Sequence, residues 1–513
     1  MPEAIGEKRF GNWLREAKDW NISRNRFWGS CIPVWVNVED RSDMICVGSI
    51  GELEQLSGVR VQDLHKHIVD KVEIRRDGKV YRRTPEVLDC WFESGAMPYA
   101  QMHYPFENKE RFEQNFPADF IAEGLDQTRG WFYTLMVVSS SLFGCTAFKN
   151  VVVNGLVLAE DGRKMSKRLK NYPDPQHILN SYGADALRLY MINSPIVRAD
   201  DLRFSVEGVK QALRHLLIPW WNAFSFLVTY ARIDGWTPGE GVSGVGFRGS
   251  EKDPAAPLAG NLLDRWILSE LERLNEDVVQ AMDRYDLQRA VRPFVSFIES
   301  LTNWYIRRSR RRFWKSQNDA DKASAYATLH EVLVRLSQIA APFVPFISEA
   351  IYRHLRVEGQ PESVHLCDFP QARPERRDRA LEAQMEEAIR VVELGRSVRT
   401  QFDLKVRQPL RRMRVVCHDA ARLELVRHLE DVLAEELNVR EVVFSTRETD
   451  LADISAKADF KKLGPRLGPR MKKAADAIRA LSPDRIEALL DGQSIELPLE
   501  GGALSITRED VLI

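Results

Sequence analysis

One apolar run that ends in a pair of lysines constrains this chain more than any other stretch. Val151-Val152-Val153-Asn154-Gly155-Leu156-Val157-Leu158 reads as a buried strand. Ala159 to Arg163 supply a polar turn with Asp161-Gly162. Lys164-Met165-Ser166-Lys167-Arg168 come next. Asn171-Tyr172-Pro173-Asp174-Pro175 then forbid immediate regular structure, so a helix begins near Gln176. Lys164 and Lys167 therefore sit on a short loop at the exit of a core strand, where an open α/β sheet puts its ligand chemistry. Two flexible ammonium groups there can neutralise charge building on a phosphoryl oxygen. On residue chemistry alone, a solvated surface loop remains the alternative.

Residues 117–143 form a second chemical element. Ala118 to Ala122 reads as a short strand, Glu123 to Gln127 as a strand-to-helix turn, and Thr128 to Phe143 as an apolar helix stopped by Gly144. Gly124 lets backbone approach a ligand closely. Asp126 can accept from ribose hydroxyls and Glu123 can pair with a substrate ammonium. Trp131, one turn past Gln127, can wall an aliphatic pocket. An acidic helix N-terminus favoured by the helix dipole is the plainer alternative. Further along, Arg307, Arg308, Arg310, Arg311, Arg312 and Lys315 make the densest basic patch, interleaved with Trp304, Tyr305, Phe313 and Trp314. Cations among aromatics suit looped or single-stranded RNA, or else a solvated helical face.

A chain of 513 residues has room for about three domains. Its formal net charge of -1 excludes a globally basic nucleic-acid binder, so RNA contact has to come from local patches. The six cysteines form no Cys-x-x-Cys pair, which argues against a zinc ribbon or a disulfide framework and for reduced thiols in the cytoplasm. No run of about 18 apolar residues exists, so no membrane partner is expected. Residues 50–70 read as helical; His65 and His67, two apart, then point to different helix faces, which disfavours a metal site. Val72 to Tyr81 reads as a hairpin around Asp77-Gly78. One helix is expected from Gln176 to Met191, and another from Ser205 to Arg232 interrupted at Pro219. Residues 235–260, rich in Gly and Pro, read as a linker. Helical periodicity resumes beyond it, and 373–513 alternates helices and strands, including two Gly-Pro turns within Lys461 to Arg470.

Several stretches resemble the class I aminoacyl-tRNA synthetases, and among them the isoleucine enzymes. "GRKMSKRLKNYPDP" resembles their signature lysine loop, with Arg168 as in a variant of the isoleucine group. Glu123 to Trp131 matches the adenylate-binding "EGxDQTRGW" element. Trp20 to Gly29, "WNISRNRFWG", resembles the re-entry into the catalytic domain after the inserted editing domain. Asp89 to Ala100 is similar to "WFDSG-x-MPYAQ", with Glu93 in place of Asp. "NWYIRRSRRRFW" resembles the anticodon-binding helical domain, and Lys461 to Arg470 the C-terminal region of eukaryotic-like isoleucine enzymes.

The resemblance implies an α/β fold at 1–205, the second half of a class I Rossmann catalytic domain. It implies an α-helical bundle at 206–372 and a small C-terminal α+β domain contacting RNA at 373–513. It makes Lys164 and Lys167 the catalytic pair. Lys164, Met165, Ser166, Lys167, Gly124 and Asp126 would bind ATP, and Glu123, Gln127, Trp131 and Trp91 the aminoacyl-adenylate. Arg307, Arg308 and Arg311 would meet tRNA. The implied substrates are isoleucine, ATP with Mg2+, and tRNA(Ile). Many relatives carry a zinc knob after the re-entry segment; here only Cys31 and Cys46 lie nearby, so the knob is expected without structural zinc. The family's first signature, His-x-Gly-His, is missing: no two of the ten histidines lie three apart. No counterpart of the editing insertion is found either. The chain therefore reads as a C-terminal portion, incomplete for catalysis alone, with a separate chain as one source of the first half. Its rival is a non-catalytic tRNA-binding module. A third reading, valine or leucine specificity, is opposed by "WNISRNRFWG".

Overall fold

Two short antiparallel hairpins build the four-stranded sheet of the first unit of the molecule. The structure, a computed structural model, describes residues 2–238, 260–315, 320–447, 455–499 and 502–513. It divides into two units. The first comprises Met1–Glu240, Leu274–Arg310 and Leu329–Ala372; the second comprises Gly241–Arg273, Arg311–Thr328 and Arg373–Ile513.

In the first unit, β1 (Val34–Asn37), β2 (Met44–Cys46), β3 (Ile74–Arg76) and β4 (Lys79–Arg83) form an antiparallel sheet in the order β2-β1-β4-β3. Asp77 and Gly78 both take positive φ, 51° and 76°, as the tight hairpin between β3 and β4 requires. Trp35, Ile74 and Tyr81 fill the core of this subdomain with Leu53 of α1 (Ile50–Ser57), and the Trp35 indole donates to the Val72 carbonyl at 2.8 Å. The helix expected over 50–70 is not continuous. Ser49 caps α1, Gly58 ends it at φ 71°, and helix returns as a single turn at Lys66–Val69.

Next come α2 (Cys90–Gly95), β5 (Ala118–Gly124), α3 (Trp131–Phe143) and β6 (Phe148–Asn154). β5 and β6 pair in parallel from Ala118 opposite Phe148 to Gly124 opposite Asn154, with α3 between them in the chain. Phe132 and Leu135 of α3 pack on Ile121, Val151 and Val153. β7 (Val157–Leu158) pairs in parallel with β8 (Leu202–Arg203). The single helix expected over 176–191 is two, α4 (Pro175–Tyr182) and α5 (Ala184–Ile192), because Gly183 at φ 83° breaks it.

α6 (Val206–Ala212) runs through a π-helical segment, Leu213–Leu217, into α7 (Ile218–Asp234). Pro219 does not interrupt this run as expected. The wider π segment just before it accommodates the missing N–H and the ring. The expected linker at 235–260 falls mostly outside the described residues. The helical part continues with α8 (Leu262–Met282), α9 (Leu287–Glu299), a π segment Ser300–Ile306, α10 (Arg307–Trp314), α11 (Ala320–Ala340) and α12 (Pro345–Leu355). Within the first unit, the Asp185 carboxylate accepts from the backbone N–H groups of Ile347 at 2.7 Å and Phe346 at 3.3 Å, capping α12. Arg188 donates to the carbonyls of Pro342 and Phe343.

The second unit holds α13 (Arg379–Gln401), β9 (Leu410–Val416), α14 (Ala420–Arg427), α15 (Glu430–Leu437) and β10 (Val439–Ser445), with β9 and β10 parallel. α14 and α15 are separate helices, with Leu429 capping the second. A separate core of Leu463, Ala474, Ile478, Leu489 and Ile506 lies under α16 (Phe460–Leu467), α17 (Met471–Arg479) and α18 (Pro483–Leu490). Gly464-Pro465 lies inside α16 and is not a turn. Asp459 starts that helix by accepting from the N–H groups of Lys461 and Lys462.

Candidate active site

Two loops follow the neighbouring parallel strands β5 and β6, one directly from β5 and one after the chain has turned from β6 into β7. The first is a 3-10 turn at Leu125–Arg129. Gly124 and Gly130 shape it. A Cβ on Gly124 would stand 2.7 Å from Asp126 Oδ1, so its absence lets the Asp126 carboxylate fold back over the strand end. A Cβ on Gly130 would stand 2.7 Å from Gln127 Oε1 and 3.0 Å from the Trp91 ring. Gln127 accepts from the Trp131 N–H at 2.8 Å and donates to Asp126 Oδ2 at 3.0 Å. It thereby caps α3 and fixes the carboxylate. The Trp131 indole donates to the Ser94 carbonyl at 3.1 Å. Glu123 is exposed at the strand end, opposite Val153. The structure thus brings Gly124, Asp126, Gln127, Trp131 and Trp91 into one cluster.

Trp91 reaches it because α2 is pinned at both ends. At its N-terminus Asp89 accepts from the Trp91 N–H at 2.8 Å and from the Trp20 indole at 3.3 Å, and pairs with Arg24. Burial opposes the Asp89 charge, but these donors outweigh it and hold the carboxyl below its usual range. At the other end, a Cβ on Gly95 would meet the Thr134 carbonyl at 2.9 Å, so glycine is what lets α2 lie against α3. The anchoring residues Trp20 and Arg24 were not singled out from sequence as supports of Trp91. Their pairing to Asp89 spans more than sixty positions and leaves no local signal.

The second loop carries the lysines. A Cβ on Gly155 would fall 1.9 Å from the Asp200 carbonyl, so only glycine fits where β6 turns toward β7. The Ala159 N–H donates to the Arg163 carbonyl at 2.8 Å, closing the polar turn. Asn171 then braces the loop from inside: its Oδ1 accepts from the Ser166 N–H at 2.9 Å and its Nδ2 donates to the Lys164 carbonyl at 3.1 Å. Lys164, Lys167, Arg168 and Lys170 are all exposed, while Met165 and Ser166 are half-buried. Sequence reasoning used Asn171 only as a helix breaker and missed this brace. The loop after β5 bears carboxylates and glycines and the loop after β7 bears cations, the complementary groups that a polyphosphate nucleotide calls for.

The basic run behaves differently from the single patch expected. Arg310 and Arg311 are exposed and Arg308 is half-buried. Arg307 donates to the Asn303 carbonyl at 2.6 Å and lies 5.6 Å over the Trp304 ring. Arg312 is buried and makes two hydrogen bonds of 2.7 Å to the Asp264 carboxylate, while Lys315 pairs with Asp321 at 3.2 Å. A helix winds its side chains round the axis, so one cation of the run faces the interior and needs a counter-charge. His65 and His67 also depart from expectation. His65 stands in extended backbone before the single turn, so helical spacing does not apply, and the two rings lie 6.2 Å apart. Among the described residues, no three His, Cys, Asp or Glu side chains converge in metal-holding geometry. No described helix is long and apolar enough to cross a membrane.

Comparison with known proteins places these features in a family. Residues 1–203 match the model for tRNA synthetases class I (I, L, M and V), and residues 264–414 that for the anticodon-binding domain of tRNA ligases. An isoleucine–tRNA ligase of Treponema denticola is 51% identical over 515 residues, covering 100% of this chain and 47% of the relative. One of Protochlamydia amoebophila is 52% identical over 512 residues, covering 100% of this chain and 48% of the relative. The chain spans about half the length of these curated relatives. A LeuRS of Agrobacterium radiobacter K84, solved in a ternary complex with tRNA and LeuAMS, shares the fold at TM-score 0.50 and 20% identity, over 74% of this chain and 46% of that one. A class I catalytic segment followed by an anticodon-binding domain, with isoleucine–tRNA ligases similar along its entire length, makes this chain a member of the class I tRNA synthetases.

Proposed function

We propose that the chain serves an isoleucine–tRNA ligase, which activates isoleucine with ATP and transfers the acyl group to tRNA(Ile). The observation that carries this reading is the Glu123–Trp131 turn leaving the C-terminal end of β5, beside β6, whose chain continues through β7 into the Lys164–Arg168 loop. In this reading Glu123 pairs with the ammonium of isoleucine, and Trp91 and Trp131 flank its side chain. Asp126, held by Gln127, accepts from the ribose hydroxyls, and Gly124 admits the nucleotide against backbone. The carboxylate of isoleucine attacks the α-phosphorus of ATP and pyrophosphate leaves. The barrier falls by alignment of the two reactants and by stabilising charge on the leaving group. Lys164 and Lys167 supply that stabilisation, with Met165 and Ser166 setting the loop between them. Mg2+ arrives with ATP as part of the substrate. Arg307, Arg308 and Arg311 contact tRNA, with Arg311 the most open to it and Arg307 already engaged by Asn303.

No His-x-Gly-His occurs among these residues, so activation requires that signature from elsewhere, in a longer protein or a separate chain. That same absence favours the second reading, a tRNA-binding module without chemistry. The test is ATP–pyrophosphate exchange with isoleucine, run beside a tRNA gel shift on the purified chain. The proposal expects a tRNA shift and no exchange by the chain alone, with exchange appearing when the first catalytic half is supplied. A gel shift without exchange, even with that half present and bound, leaves the binding module as the better reading. Failure to shift tRNA removes both.

A further inference from the structure

A helical run, π over Ala4–Phe10 and α over Gly11–Arg15, lies against the turn that carries Asp126 and Gln127. Phe10 is buried in the core of Ile121, Phe132 and Val151, and Leu14, one helical turn on, packs against the same core. That anchor fixes where Trp13 stands. The Arg129 guanidinium lies over the Trp13 ring, its Cζ 2.9 Å from the ring centroid. Arg129 is the last residue of the 3-10 turn Leu125–Arg129 and is exposed. The Trp13 indole N–H is buried and finds no hydrogen-bond partner among the described residues. A buried donor left unmade costs stability, so what this position offers the site is the face of the ring and not its polar tip.

We propose that Trp13 is a positioning residue for ATP, acting through Arg129 on the Leu125–Arg129 turn. The proposal rests on the synthetase reading above. Short 3-10 turns have poorer hydrogen-bond geometry than an α-helix, so side chains have to hold their shape. Thr128 ties this turn from inside, its hydroxyl donating to the Leu125 carbonyl at 2.8 Å. Arg129 ties it from outside, because a guanidinium on the face of a tryptophan is held by its charge and by flat contact together. Between Leu125 and Arg129 stand Asp126 and Gln127, joined by their 3.0 Å hydrogen bond. A turn freed at Arg129 lets both drift from the end of β5, and Asp126 then meets the ribose poorly. Asp126 holds the ribose alike before and during the transfer. Its displacement therefore weakens ATP binding more than it slows the chemical step.

The test measures isoleucine-dependent ATP–pyrophosphate exchange in an enzyme of the relatives' full length that carries this chain as its matching portion. Active sites are counted by the adenylate formed in a single turnover. Trp13→Ala is expected to raise KM for ATP about 10-fold while kcat per active site changes less than about 2-fold, and Trp13→Phe to keep KM within about 3-fold of wild type. Arg129→Met, at an exposed position, is expected to raise KM as Trp13→Ala does. The two residues act through one contact, so the double variant is expected to be no worse than either single one. An unchanged KM for ATP in Trp13→Ala or in Arg129→Met overturns the proposal, even where fewer active sites form, since a merely structural role gives that outcome. Effects that multiply in the double variant overturn it too. Exchange by the wild type alongside either result leaves the synthetase reading standing, whereas no exchange by the wild type removes that reading and the proposal with it.

Discussion

Replacing Arg312 with Met should unfold part of the second unit, whereas replacing its neighbour Arg311 with Ala should leave the fold intact. Arg312 is 9% exposed and Asp264 4% exposed, and the guanidinium grips the carboxylate through two bonds of 2.7 Å. Removing the cation strands the charge of a buried carboxylate, which also accepts from the Ser324 hydroxyl at 2.9 Å. Breaking such a pair from one side costs roughly 3–5 kcal/mol. Removing both charges is a different case: Asp264→Leu with Arg312→Met returns the stability to within about 1 kcal/mol of wild type, because an apolar pair avoids the desolvation of two ions. The assay is urea unfolding of the four corners of this double-mutant cycle, followed by circular dichroism. On the RNA side, Arg311→Ala is expected to lower the salt dependence of tRNA binding by about one charge with no loss of stability. If Arg312→Met costs less than about 1 kcal/mol, the division of this helix into an inward and an outward cation is wrong.

Other outcomes follow from the same structure. In an enzyme of the relatives' full length, Lys167→Ala is expected to slow isoleucine-dependent pyrophosphate exchange about 100-fold or more, roughly 2.7–4 kcal/mol, while tRNA binding survives; an unchanged rate removes the loop from the chemistry. Asp89→Ala removes the anchor of α2 and is expected to raise KM for isoleucine through displacement of Trp91, which the tryptophan emission spectrum reports independently. Burial pushes the Glu270 carboxyl up to about 7, against the pull of Arg273. The folded chain then holds this proton more tightly than the unfolded chain, so stability falls as pH rises from about 4.5 to above 7, by roughly 3 kcal/mol. Glu270→Gln should flatten that part of the pH–stability curve, and a curve unchanged by the substitution contradicts the assignment.

The parts of this molecule that could be read in advance were those whose grammar is local. The polar turn at Asp161-Gly162 and the proline-marked start of α4 follow from residues within a few positions of one another. So does the glycine-shaped turn after β5. The apolar run at 151–158, by contrast, is not the single strand expected, because Gly155, pressed against Asp200, turns it from β6 into β7. The supports of the site were not legible in that way. Trp20 and Arg24 reach Asp89 across the sheet subdomain, and Asn171 braces Lys164 and Ser166 through its side chain amide. A basic run gives no sign of which cation turns inward, because the choice depends on an aspartate contributed by another helix. Pro219 shows the same limit: a proline predicts a break, but a π segment upstream absorbs it.

The most direct test of the account is activity in a chimera. The matching 515-residue stretch of the Treponema denticola isoleucine–tRNA ligase is replaced by this chain, and ATP–pyrophosphate exchange is measured with isoleucine, valine and leucine. The account predicts exchange that prefers isoleucine and is lost on Lys167→Ala. A folded chimera that exchanges with none of the three, or that prefers valine or leucine, contradicts it.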